Sequence, residues 1–244
     1  MLGLGLKRRW KLYMGVNWVK TIYFNFKMLP FKTAKKLPVF FYGNVKFTSL
    51  LGSVEIDAEI KPAMIGFGQP YEMTTRSMGI AEIFLEGKVR FNGNVCLGKD
   101  MFFYTAKNAL LEIGHMSTIA SSSKIICTNK IIIMEWVQIG SESQIIDTNF
   151  HSMKNTLTQE VYPKTGEIKL GSYNYMGNRV SIMQNTITPN YFTVASNSLC
   201  NKDYTTLGSN TMVGGYPAKL IKENISRDWE DECERLEQHL TVKL

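Results

Sequence analysis

Histidine is scarce in this chain: His115, His151 and His239 are the only three in 244 residues. A metal centre built on imidazole has little to draw on, and an imidazole base must come from one of these positions. The four cysteines, Cys96, Cys127, Cys200 and Cys233, are scattered and form no CxxC pair. Reduced thiols in a cytoplasmic protein are the plain reading. No stretch reaches the roughly 20 continuous apolar residues of a membrane-spanning helix. The basic N-terminus is followed by Trp10, Asn17 and Lys20, with no signal-peptide core or small-residue cleavage site. Acidic residues are missing before Glu55, while ten Lys or Arg fall between Met1 and Val54. Net charge is +7, yet no nucleic-acid-binding motif accompanies it, and no nucleic-acid partner is expected.

Hydrophobic residues at 44% and charged residues at 20% supply enough apolar material for a sizeable core. The charge is uneven, because the tail from Glu223 to Leu244 is acidic on balance. A basic, aromatic N-terminus suits peripheral contact of residues 1–50 with anionic lipid, at the inner face of a membrane, or with an anionic substrate. The alternative is a solvated helix that packs its Trp and Tyr on the rest of the protein. Residues 7–27 have the pattern of an amphipathic helix, and Leu37 to Tyr42 that of an extended apolar segment.

The main body repeats. Stepping by six from Ile83 gives Ile83, Val89, Val95, Met101, Lys107, Ile113, Ile119, Ile125, Ile131 and Val137, nine of ten apolar. Six residues turn an α-helix by about 600°, so no helical face keeps this period. A strand alternates with a period of two. A period of six suits a coil with three short flat faces, each burying one side chain per turn, about 18 residues to a coil. Gly stands second and a small residue fifth in Ile113-Gly114-His115-Met116-Ser117 and Ile139-Gly140-Ser141-Glu142-Ser143. Val194-Ala195-Ser196-Asn197-Ser198 is alike, and tight corners call for such permissive residues. The phase shifts by two at Ile139 and Ile145, then restarts as Leu170, Met176, Ile182, Thr188, Val194 and Cys200. Between them, about 150–167 lacks the repeat and reads as a loop thrown out of the coil, the kind of long loop that carries function. Phe67 to Gly79 reads as another excursion. The expected division is a basic segment over 1–53, the coil over 54–222 from a starting turn at Val54–Ala58, and a helix over 223–244. Ser226 is the expected N-cap of that helix, which puts Trp229, Cys233, Leu236 and Leu240 on one face, set to cover the open edge of the last coil.

The hexads at Ile113, Ile139, Leu170-Gly171 and Met176-Gly177 resemble those of the hexapeptide-repeat acyltransferases. The run Val213-Gly214-Gly215-Tyr216-Pro217-Ala218-Lys219 resembles that family's closing signature. The resemblance implies an all-β solenoid, a left-handed parallel β-helix with an N-terminal helical and extended segment and a C-terminal α-helix. The left hand comes from the resemblance alone and departs from the usual right-handed crossover. The nearest likeness is to sugar and polysaccharide O-acetyltransferases, whose histidine follows an Asp-x-Asp/Asn-x-His run, here Asp147-Thr148-Asn149-Phe150-His151. By that resemblance His151 is the general base that takes a proton from a sugar hydroxyl as it attacks acetyl-CoA. Asp147, or next Asn149, is the candidate to orient it, although both also suit backbone-bonding corner residues. The family's cofactor contacts carry over to Tyr175, Gly177, Ala195, Ser196, Lys219 and Lys222, with Lys202 as a further candidate. A homotrimer with each site between two subunits is implied, with acetyl-CoA as donor, a small-molecule or glycan acceptor and no metal. Gln184-Asn185 and Thr188-Pro189 depart from the family pattern in the cleft wall. Three other readings compete: N-acetylation of an amino sugar, a solenoid metalloenzyme needing three converging histidines, and a scaffold without chemistry.

Overall fold

Each hexad supplies a short strand and a corner, and in the computed structural model these close into a three-sided parallel coil. The structure describes residues 12–72 and 79–241, so residues 73–78 of the predicted excursion at Phe67 to Gly79, and residues 7–11 of the helix expected over 7–27, lie outside the described residues. Face 1 is a nine-stranded sheet from Val39–Phe41 to Ala218–Glu223, face 2 has seven strands from Val45–Leu50 to Leu199–Cys200, and face 3 has five, from Ser53–Ile56 to Ile168–Leu170. Pairing within the faces is parallel except for the last hairpin, Thr211–Gly215 with Ala218–Glu223. The coil therefore begins upstream of residue 54, because Val39–Phe41 already pairs with Ile65–Phe67.

The six-residue series points inward. Ile83, Val89, Val95, Met101, Ile113, Ile119, Ile125, Ile131 and Val137 are buried, as are Leu170, Met176, Ile182, Thr188, Val194 and Cys200. Lys107 is exposed at a corner. Coil length differs from the expected 18 residues before residue 147. Val95 pairs with Ser117, 22 residues on, and Thr118 with Gln138, 20 on, whereas Tyr175 and Thr193 stand 18 apart. The longer coils carry four-residue strands with two inward side chains each, such as Phe103 with Thr105 and Ile131 with Ile133.

The corners also differ from expectation. Their left-handed positions are filled by Met116, Trp136, Tyr173 and Tyr191 on one edge and by Ser122, Glu142 and Arg179 on another, with φ between 55° and 59°. The hexad glycines are needed for a different reason. A Cβ on Gly114 would meet the backbone of Met134 and Glu135, and one on Gly140 the backbone of Gly177 and Asn178. Close approach of the next coil, not a positive φ, excludes a side chain there.

Both ends of the coil are closed. At the start, helix α1 (Trp18–Met28) and the short α2 (Phe31–Ala34) precede the first strand. Thr21 Oγ1 accepts from Phe41 N–H (3.0 Å), Asn25 Oδ1 accepts from Val39 N–H (3.2 Å), and Asn25 Nδ2 donates to Val39 O (2.7 Å). These bonds satisfy an edge strand that has no coil beneath it. At the far end the hairpin folds back over the last coil. The C-terminal helix α3 (Trp229–Leu240) begins at Asp228, whose side chain accepts from Asp231 N–H, rather than at Ser226. Trp229, Cys233, Leu236 and Leu240 do share one face, but it packs along the flank of the coil on Cys96, Met116, Trp136 and Tyr173. Gln69 Nε2 ties down its end by donating to Leu240 O (3.1 Å). The open edge belongs to the hairpin instead.

The interval after Ile146 is a hairpin arm rather than an irregular loop. Thr148 bridges Thr165, Asn149 N–H donates to Lys164 O (2.9 Å), and Met153–Lys154 pairs antiparallel with Val161–Tyr162. Its root is Asp147, fully buried. Thr128 N–H and Oγ1–H donate to Asp147 Oδ1 (2.7 and 2.8 Å), and Asn129 and Lys130 N–H donate to Oδ2 (2.8 and 2.9 Å). Asp147 O accepts from Gly166 N–H (3.0 Å), so one residue pins the corner beneath and closes the arm.

Asp147→Ala removes the acceptor of four part-buried donors at residues 128–130 and is expected to lower unfolding free energy by about 3 kcal/mol, read in urea. Proteolysis is expected to turn to the arm in the same variant. Cys96, Cys127 and Cys200 are buried, and burial pushes the Cys96 and Cys200 thiols up to about 12. A thiol reagent at pH 8 is therefore expected to label Cys233 alone in the folded protein and all four cysteines in denaturant.

Candidate functional site

The corner between faces 2 and 3 carries the arm, and beside it lies a cleft of about 380 Å³. Its floor is the outer side of face 2, from Gln144, Ser181, Met183 and Leu199, and its rim carries Asn149, Gln184, Asn185 and Asn201. The lining is rich in carboxamides and holds no ionisable side chain except the phenol of Tyr216, which enters from the closing hairpin. Gln184 Oε1 is buried without a hydrogen-bond partner among the described residues. The arm's root lies against the same rim, since a Cβ on Gly166 would meet Asn185 Oδ1.

His151 stands at the base of the arm, exposed, between Phe150 and the first arm strand. Asp147 does not orient it. A carboxylate has about four lone-pair sites, and the donors of Thr128, Asn129 and Lys130 occupy those of Asp147. Asp147 is the backbone-bonding corner residue of the two readings that its position allowed. Asn149 sits on the cleft rim, with its N–H given to Lys164. The other two histidines are engaged elsewhere. His115 Nδ1 accepts from Asn94 N–H (3.3 Å) and meets Trp136 edge-on, while His239 Nε2 lies 2.9 Å from Tyr71 O. No group of three or more His, Cys, Asp or Glu is placed to hold a metal among the described residues.

The residues matched to cofactor contacts gather on another part of the surface. Gly140, Gly177, Ala195 and Gly214 lie on successive rungs at the corner between faces 1 and 2, and Lys219 pairs with Gly214. Ser196 Oγ accepts from Asn178 N–H (3.1 Å) at that corner, where a Cβ on Gly177 would strike Ser196. One outward row of face 1 runs Gln138, Tyr175, Thr193, Met212 and Lys222. Six of the seven positions thus share one strip. Lys202 does not: it lies near the arm's corner, with Nζ 5.4 Å from the Tyr204 ring. Arg227 joins the strip from the segment before α3, its guanidinium 5.1 Å from the Tyr175 ring. Neither Arg227 nor Gln184 was singled out as a contact from sequence. The only trace was the replacement of the family's usual pair by Gln184-Asn185 in the cleft wall.

The arm and the strip stand at opposite ends of face 2, so a single chain does not bring His151 to the row of Tyr175 and Lys222.

No family model and no curated protein matches this chain. Among solved structures, the polySia specific acetyltransferase NeuO is 18% identical with a TM-score of 0.51, over 82% of this chain and 99% of that one. The hexapeptide-repeat acetyltransferase VCA0836 from Vibrio cholerae, complexed with acetyl coenzyme A, is 22% identical with a TM-score of 0.38, over 53% of this chain and 64% of that one. A mutant of AntD, an N-acyltransferase from Bacillus cereus in complex with dTDP and coenzyme A, is 15% identical with a TM-score of 0.40, over 87% and 98%. The chain is a left-handed parallel β-helix with the fold of the hexapeptide-repeat acetyltransferases.

Proposed function

We propose that the protein transfers an acetyl group from acetyl-CoA to a hydroxyl of a sugar or glycan in polysaccharide biosynthesis, with His151 as general base. The observation that carries this reading is the arm: a buried, fully bonded Asp147 holds His151 out in solvent beside a cleft lined by carboxamides. An uncharged rim of amide groups suits a neutral polyhydroxyl ring. The fold shared with a polySia specific acetyltransferase supports the same class of acceptor.

In the proposed step, the neutral His151 imidazole takes the proton of the acceptor hydroxyl as its oxygen attacks the thioester carbonyl. The oxygen–carbon bond of the new ester forms, the carbon–sulfur bond breaks, and His151 returns the proton to the departing sulfur. The thioester supplies the activated acyl group. The chain's own contribution to donor binding is the strip of Gly177, Ala195 and Ser196, where side chains are too small to block an extended ligand, with Tyr175, Lys219, Lys222 and Arg227 alongside. The cations suit a donor that carries phosphates.

The site is completed between subunits of a homotrimer. The arm's exposed Phe150, Met153, Leu157, Val161 and Tyr162 give it an apolar surface for a neighbour, and seating it there sets one chain's His151 against the next chain's strip. Light scattering is expected to return three times the chain mass.

His151→Ala is expected to cut CoA release with a responsive acceptor sugar by about 100-fold to 10,000-fold with the trimer intact. Undiminished turnover in that variant would remove His151 from the mechanism. Alkali is expected to strip acetate from the product, because an ester is cleaved where the amide of an N-acetylated sugar persists.

A further inference from the structure

The helix that closes the start of the coil is apolar on two sides. Its inner side buries Phe24 against Phe41, Phe47 and Phe67, together with Thr21 and Asn25, which bond the edge strand. Its outer side holds Val19, Ile22, Tyr23 and Phe26, at 78%, 48%, 54% and 47% exposure. Their spacing of three, four and seven residues is that of one helical stripe. Phe31, 73% exposed, extends the stripe onto α2, its ring 5.9 Å from that of Phe26. A soluble surface helix turns such a stripe inward, and nothing within the described chain covers this one.

Lysines surround the stripe. Lys27, Lys32, Lys35 and Lys36 are exposed, and none has a carboxylate partner among the described residues. The first acidic residue in the sequence is Glu55. This charge selects among occupants. A second copy meeting the stripe symmetrically would bring the same lysines against it. Residues 1–11 of this chain add the cations Lys7, Arg8, Arg9 and Lys11 and no anion to pair with the patch. A surface with an apolar interior and phosphate headgroups complements both features.

We propose that the outer face of α1, with Phe31, is a docking surface for anionic lipid. Val19, Ile22, Tyr23, Phe26 and Phe31 enter the boundary between headgroups and acyl chains, and Lys27, Lys32, Lys35 and Lys36 pair with headgroup phosphates. The helix lies in the membrane plane. No helix of the described residues is long and apolar enough to cross a bilayer, and α1, at 11 residues, spans only about 16 Å.

The test is co-sedimentation of the full chain with vesicles. Equal parts of phosphatidylglycerol and phosphatidylcholine are expected to pull the protein down, pure phosphatidylcholine is not, and added salt releases it. Ile22→Ser with Phe26→Ser, and separately Lys32→Glu with Lys35→Glu, are each expected to weaken binding by about tenfold or more. Circular dichroism checks that these surface variants remain folded. Failure of the wild type to sediment with the anionic vesicles would overturn the proposal, as would full binding by the serine variant. A serine variant that loses oligomer mass, from a wild type that ignores vesicles, would assign the face to another copy of the chain and equally overturn it. The measurement needs neither acetyl donor nor acceptor, so its outcome is independent of the acyltransferase reading.

Discussion

A parallel coil satisfies its backbone only where another coil lies beside it. Every interior strand here bonds to the coil on each side, as Val95 N–H donates to Met64 O and Gly98 N–H to Ile119 O, so unpaired groups collect at the two ends. The two closures differ because the chain arrives at one end and leaves from the other. The departing chain folds back as a hairpin, whose Gly214 and Gly215 pair with Lys219 and Ala218. The arriving chain gives one short backbone bridge, Val16 with Tyr42 and Asn17 N–H to Phe41 O (2.8 Å), and adds side chains, Thr21 and Asn25 against Val39 and Phe41. The inner side of α1 thus combines Thr21 and Asn25 with the buried Phe24, while a second apolar stripe, Val19, Ile22, Tyr23 and Phe26, stays outside.

The same constraint governs where the coil can be interrupted. A strand cannot take an insertion without breaking both ladders, whereas a corner can if the chain leaves and returns at nearly the same point. Asp147 and Gly166 mark those points, joined by one backbone bond (3.0 Å). The carboxylate of Asp147 meanwhile does for the corner below what a neighbouring coil does elsewhere, accepting from three successive amides. A buried carboxylate is costly unless its hydrogen bonds are complete, and here they are. The arm thus projects from a clamped base.

The coil was legible in the sequence because each inward position sees nearly the same surroundings, and repetition is what a period detects. Ile113, Ile119, Ile125 and Ile131 could be assigned on spacing alone, and all are fully buried. The role of Asp147 was not legible. Its partners are amides of residues 128–130, and backbone groups leave no mark on side-chain identity. The same run of residues suits a carboxylate aimed at His151. The glycines were placed correctly but for an incomplete reason, since the approach of Met134 to Gly114 depends on stacking between coils and not on the local turn. The path of α3 was hidden for a similar cause. Its apolar face showed in the spacing of Trp229, Cys233, Leu236 and Leu240, while its partners Cys96, Met116 and Trp136 are more than ninety residues away.

Stacking also limits the kinds of site such a fold can build. Inward positions are committed to the core, so chemistry must be written on outward rows and corners. A row repeats every coil, which turns side chains into a straight track: the five positions from Gln138 to Lys222 cover about 19 Å at strand spacing. Such a track holds an extended ligand along its length and offers little depth. Depth has to come from something that stands off the surface, either the arm of the same chain or a neighbouring prism. The shallow carboxamide cleft beside the arm and the small-residue strip on the next corner lie on either side of face 2, whose width keeps them apart within one chain.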